Sequence, residues 1–191
     1  MSERTPIQTS TAPPGTRRSD GIKLHIGGQE KRDGWTILDA LPGPLVDHVG
    51  NCNDLSFLAN ESCSEVYASH VFEHLAYNGE IQKTLQGVYR VLKPGGLLRA
   101  SVPDLETLCK LFLHPGLDGT GRYLIMRMMF GGRATEYDVH YVGLSFEFFG
   151  MFLHEVGFRD IRRVPEFGLF QDTSTLRVAG VPISLNVEAR K

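Results

Sequence analysis

The stretch Arg90-Val91-Leu92-Lys93-Pro94-Gly95-Gly96, followed by the apolar run Leu97 to Val102, constrains this chain more than any other. Ile81, Leu85, Val88, Tyr89 and Leu92 recur at helical spacing, which predicts a helix from about Glu80 with one apolar face. Pro94 cannot continue that helix, and Gly95-Gly96 supply the backbone freedom of a tight helix-to-strand turn. The Leu97 to Val102 run is short, mostly apolar and bounded by turn signals, as a central parallel strand should be. Helix, hard stop and buried strand make an α/β unit.

Further strands are predicted at Lys23 to Ile26, Trp35 to Leu38, Val46 to Val49 and Glu65 to Ser69. Helices are expected after Pro103-Asp104, from about Gly121 to Phe130, and over Phe146 to Val156, with Ser145 as N-cap and Gly157 as the stop. Ile161 to Val164 and Ile183 to Ala189 can form an antiparallel pair. Alternating strands and helices argue for a parallel sheet that binds ligands beyond the carboxyl ends of its strands. Only eight residues, Gly27 to Gly34, separate the first two strands, too few for a full crossover helix. Met1 to Asp20 is rich in Ser, Thr and Pro with little to bury, and reads as a disordered tail before one domain spanning 21–191.

A chain of 191 residues with 41% hydrophobic content can bury a full core. Its net charge of −2 gives no reason to expect nucleic acid or an anionic membrane surface as partner. Cys52, Cys63 and Cys109 have no metal-ligand spacing and no closing pair arithmetic, so reduced thiols in a cytoplasmic protein are the simple reading. No run approaches the roughly 18–20 apolar residues of a membrane span, and no apolar leader suggests secretion.

Candidate functional residues cluster at the ends of the predicted strands. Gly27-Gly28 would let backbone approach a ligand, or serve simply as a turn. Asp39 can take both hydroxyls of a ribose, or be a solvated loop acid. Asn51-Cys52 could meet an adenine edge. The richest cluster is Ser69-His70-Val71-Phe72-Glu73-His74: His70 and His74 would share one helix face with Glu73 nearby, and His70 is placed for a general base. The sequence offers no third ligand, so no metal is expected. Asp104 borders the same crevice or begins the next helix. Arg122 to Arg133, with three methionines, predicts a core or lid face. Tyr137-Asp138-Val139-His140-Tyr141 reads as a loop suited to substrate recognition.

These segments resemble the class I S-adenosylmethionine-dependent methyltransferases, in which the Arg90 to Gly96 string precedes the fifth strand. More narrowly the chain is similar to a group of small bacterial predicted methyltransferases over about Lys23 to Lys191. The resemblance rests on Lys23 to Gly28, Gly34-Trp35, Pro42 to Asp47, Tyr67 to Leu75, Arg90 to Glu106, Met126 to Gly132, Asp138 to Gly143, Phe170 to Ser174 and Ile183 to Lys191. It implies an α/β three-layer sandwich, a mostly parallel seven-stranded sheet with its last strand antiparallel, and S-adenosylmethionine as cofactor. By analogy Gly27 and Gly28 line the methionine part, Asp39 the ribose and Asn51-Cys52 the adenine, with Ser69 and His70 completing the cofactor set. The chain departs from the family pattern in three places. His25 stands where the glycine motif begins with an acid, Gln29 replaces its third glycine, and Asn51 replaces the adenine-side acid.

Together these features predict methyl transfer to an oxygen, or else a nitrogen, of a small or glycan-linked acceptor, with His70, His140 and Asp104 as candidate catalytic groups. The alternative is a catalytically inactive binding or scaffold protein that keeps the fold. A nucleotide-dependent oxidoreductase is disfavoured by the absent crossover helix. No motif assigns the acceptor or an oligomeric state.

Overall fold

The computed structural model describes residues 21–191, so the expected disordered tail lies outside the described residues. A seven-stranded sheet is built from β1 (Ile22–Ile26), β2 (Trp35–Asp39), β3 (His48–Val49), β4 (Cys63–Ser69), β5 (Leu92–Pro103), β6 (Arg159–Val164) and β9 (Ser184–Arg190). A separate two-stranded hairpin joins β7 (Arg177–Val178) to β8 (Val181–Pro182). The sheet order is β3-β2-β1-β4-β5-β9-β6, and β9 runs antiparallel to both neighbours. This is the expected mostly parallel sheet with its last strand reversed.

The helices are α1 (Glu80–Val91), α2 (Leu105–Phe112), α3 (Gly119–Phe130) and α4 (Phe146–Val156). Ile81, Leu85 and Val88 on α1 and Phe149 and Leu153 on α4 share the main core with Leu24, Val66, Ala68, Leu98, Ala100, Leu185 and Val187. Ser145 Oγ accepts from Phe148 N at 3.2 Å and Gly157 ends α4 with φ +118°, as the sequence predicts.

Three of the differences from the sequence reading have a visible cause. β5 begins at Leu92 rather than Leu97, because Leu92 already pairs with Cys63 and Gly95 and Gly96 bond the backbone of Lys191. β3 shrinks to two residues: the Asp47 carboxylate accepts from Ile37 N at 2.8 Å, so a side chain takes a position that strand pairing would otherwise fill. The segment after β4 is a single 3₁₀ turn, Phe72–His74, rather than a helix carrying both histidines, because His70 sits at φ +55° and Leu75 is extended.

The opposite face of the sheet is covered differently. His25, Trp35 and Tyr67 point there, and Phe167, Leu169 and Phe170 pack on them. The short β1–β2 connection is tied to this segment: Arg32 donates to the Leu169 carbonyl and Gln171 N donates to Glu30 Oε2 at 3.1 Å. A late loop thus occupies ground that a first crossover helix would cover. Further along the same face Lys23, Glu65, Arg99, Glu188 and Arg162 form an alternating ladder of ion pairs across five strands. No helix among the described residues is long and apolar enough to cross a membrane.

Candidate active site

β1, β2 and β3 are neighbours on one side of the sheet, so their carboxyl ends set the glycines, Asp39 and Asn51 along one rim. Gly27 has φ +72°, and a Cβ there would come within 2.9 Å of Val71 Cγ2. At Gly28 a Cβ would come within 2.8 Å of the His25 ring. That imidazole is 3% exposed, set edge-on to Tyr67 and packed on Phe170, and burial lowers its pKa to about 4. Where the resemblance expects an acid, a neutral ring fills space under the turn. The missing third glycine also has a visible use. Gln29 Nε2 donates to Asp39 Oδ2 at 3.1 Å, while Leu41 N donates to Oδ1 at 2.8 Å.

Asn51 closes its own turn, accepting from Asn53 N at 3.1 Å. Cys52 is half-buried against the core, and burial pushes its thiol up to about 12, so it is no nucleophile. Ser69 and His70 end β4, beside β1 in the sheet, where strand order switches direction.

Beyond β5 lies a pocket of about 270 Å³ whose lining includes His70, His140, Arg127, Met128, Asp138 and Thr173. Of the methionine stripe of α3, Met128 and Met129 pack on the core of Leu108, Ile125 and Ile183, while Leu124, Arg127 and Met128 also line the pocket. Asp138, besides lining the pocket, shapes the loop. Its carboxylate accepts from Gly132 N and Ala134 N at 3.1 and 3.0 Å, bonds that hold its pKa below the usual carboxylate range. Tyr141 points elsewhere and lines a second, apolar hollow with Tyr77 and Phe148.

The three candidate catalytic groups are not equivalent. The Ser184 hydroxyl donates its proton to the Thr173 carbonyl at 2.8 Å, so toward His70 Nε2, 3.0 Å away, it can only accept. His70 Nε2 therefore carries a proton, and Nδ1 lies 3.3 Å from Glu73 Oε1. Burial lowers the His140 pKa, which favours the neutral imidazole with one ring nitrogen able to accept. Asp104 is 3% exposed and turns away from the pocket to Thr107 Oγ1, at 2.7 Å, and Arg163. The structure brings His70 and His140 together with His74 and Glu73, and leaves Asp104 outside. Sequence reading missed Arg127 and Ser184. Ser184 lies in the closing Ile183 to Lys191 motif, but nothing in the motif shows that it faces His70.

Comparison with known proteins follows this geometry. Residues 37–100 match a family described as a methyltransferase domain. A search of curated proteins finds no match. A possible exported protein from Bordetella parapertussis superposes with TM-score 0.56 at 13% identity, over 90% of this chain and 62% of that one. The chain thus spans under two thirds of that protein's length. A SAM-dependent methyltransferase from Archaeoglobus fulgidus gives 0.58 at 15% identity, over 91% and 87%. The 1,6-didemethyltoxoflavin-N1-methyltransferase of Burkholderia thailandensis, solved with bound 1,6-didemethyltoxoflavin and S-adenosylhomocysteine, gives 0.54 at 18%, over 89% and 70%. At these identities the neighbours show a shared fold.

Proposed function

We propose that this chain, whose fold is that of the class I S-adenosylmethionine-dependent methyltransferases, transfers the cofactor's methyl group to an oxygen of a small or glycan-linked acceptor. The observation that carries the reading is the pocket lined by His70 and His140, next to the rim where the family holds its cofactor. In this reading Gly27, Gly28 and Asp39 receive the methionine and ribose parts, Asn51 and Cys52 the adenine, and Ser69 and His70 border the methyl end. Arg127 in the pocket wall suits an acceptor with an anionic group, such as a nucleotide-linked sugar.

In the transfer an acceptor hydroxyl gives its proton to an imidazole while its oxygen attacks the methyl carbon. The carbon–sulfur bond breaks with its electron pair on sulfur, which leaves S-adenosylhomocysteine. Alignment supplies much of the rate, because the sulfonium is already activated. His140 is the better proton acceptor of the pair, since His70 Nε2 is already protonated toward Ser184. The three free thiols fit a reducing compartment, so we place the protein in the cytoplasm.

The test is calorimetric titration with S-adenosylhomocysteine, S-adenosylmethionine and NAD, followed by methyl incorporation into a panel of nucleotide sugars and glycans. Binding of the two sulfur compounds and labelling of an acceptor are expected. No binding would return the chain to a scaffold role, and NAD binding to an oxidoreductase.

A further inference from the structure

Glu73 is a buried carboxylate that methyl transfer itself does not use. It is 1% exposed, and neither of its carboxylate oxygens accepts a hydrogen bond. Its basic neighbour, His70 Nδ1, stands 3.3 Å from Oε1 without hydrogen-bond alignment. A buried carboxylate without a donor is expensive unless a cation faces it.

The surroundings of Glu73 are those of a ligand set. One potential ligand atom from each of Glu73, His74 and His140 lies within 4.8 Å of the others. His74 Nδ1 stands 3.1 Å from the Val139 carbonyl, so it carries the ring proton and leaves a lone pair on Nε2. An imidazole that donates one nitrogen to a backbone carbonyl and offers the other is oriented as metal-bound histidines are. The set is also held in place: Tyr141 N donates to the Glu73 carbonyl at 2.8 Å, which fastens the loop bearing His140 onto the 3₁₀ turn bearing Glu73 and His74.

We propose that Glu73, His74 and His140 bind one divalent transition-metal ion of the zinc class, with its open coordination position toward the pocket. Two imidazoles and a carboxylate form a borderline donor set that suits zinc and its neighbours over magnesium or calcium. Metal–ligand bonds of about 2.0–2.2 Å put tetrahedral ligand atoms roughly 3.3–3.6 Å apart, so side-chain rotation by about 1 Å closes the site. Three protein ligands leave a fourth position, and His140 lines the pocket from which that position is reached. The consequence for catalysis rests on the methyl-transfer reading. An acceptor oxygen bound to the ion sheds its proton to water more readily, and the role of a free His140 passes to the metal.

The experiment uses the untagged full chain, stripped with EDTA and titrated with zinc chloride by calorimetry, with cobalt(II) absorbance as a spectroscopic signature. One ion per chain, a dissociation constant at or below the micromolar range and four- or five-coordinate cobalt bands are expected. His140→Ala and His74→Gln should each weaken binding by about 10–100-fold, with folding checked by circular dichroism. His154→Ala, at an exposed position on α4, should change nothing. Absence of saturable one-to-one binding overturns the site, as does wild-type affinity in folded His140→Ala. Titration with S-adenosylhomocysteine in EDTA separates the two readings. Cofactor binding without zinc binding removes only the metal site, and zinc binding without cofactor binding removes only the methyl-transfer reading.

Discussion

The proposed cofactor rim and the proposed acceptor pocket are built in opposite ways. The rim is assembled from short segments, each following its own strand: Gly27-Gly28 after β1, Asp39 at the end of β2 and Asn51-Cys52 after β3. Strand order alone brings them into line. The pocket instead gathers His70, Arg127, His140, Thr173 and Ile183 from elements far apart in the chain. Its geometry depends on tertiary bonds such as Tyr141 N to the Glu73 carbonyl and Ser184 to Thr173. A rim fixed by topology keeps its layout when residues change, and His25 and Gln29 sit in it without altering the strand order. A pocket fixed by convergence depends on each contact that closes it.

The sharpest test of that difference is His140→Gln. Whether His140 accepts the proton or holds an ion, turnover on a labelled acceptor should fall by about 10²–10⁴-fold, while affinity for S-adenosylhomocysteine changes little. Single-turnover kinetics beside calorimetry separate the two quantities. Loss of cofactor affinity with turnover per bound cofactor intact would erase the distinction between rim and pocket.

A second effect belongs to the floor of the rim. His25 is buried and neutral, with a pKa near 4 against 6.5 for an ordinary histidine, and burial outweighs the opposing pull of Asp172 and Glu30. Between those values the unfolded chain binds a proton that the native chain refuses. Stability is therefore complete above about pH 6.5 and falls as pH drops toward 4, by about 3 kcal/mol at most. His25→Phe keeps the aromatic packing with Trp35, Tyr67 and Phe170 and removes the titrating nitrogen. Urea denaturation of both proteins from pH 7 to 4.5 should show wild type losing more stability than the variant. Parallel curves would mean that the ring is protonated in place or open to water.

The same contrast explains what the sequence made legible. Helix α1 and the antiparallel β6–β9 pair were readable because periodicity is local, although α1 stops at Val91 and Pro94-Gly95-Gly96 fall inside β5. The missing crossover helix was readable from loop length. What replaces it was not, because Phe167 and Phe170 return to the β1–β2 connection from more than 130 residues away. The ion-pair ladder left a clearer trace. In Lys23-Leu24-His25-Ile26 and in Ser184 to Arg190 polar and apolar residues alternate, which for a sheet means one face without a full apolar cover. At the site, His70, Glu73 and His74 were visible as a cluster, but His140 joins them through its loop's bonds to Glu73 and His74, and Asp104 instead bonds Thr107 and Arg163. Contacts between distant segments carry no local signature.

The smallest expected effects lie at the ribose end of the rim and rank two neighbours. Asp39→Ala removes the carboxylate proposed to take the ribose hydroxyls. Charge-assisted hydrogen bonds of about 1.5–3 kcal/mol imply a rise of roughly 10–100-fold in the dissociation constant for S-adenosylhomocysteine. Gln29→Ala should do less. The Gln29 amide holds Asp39 through one exposed hydrogen bond of 3.1 Å, and Leu41 N still anchors the other carboxylate oxygen. Losing one neutral donor costs about 0.5–1 kcal/mol of preorganisation, or roughly 2–5-fold in affinity. Calorimetry on both variants reads the order directly. Tighter binding in Gln29→Ala would show that the amide competes with the ribose for Asp39, so that the residue in place of the third glycine restrains cofactor binding instead of organising it.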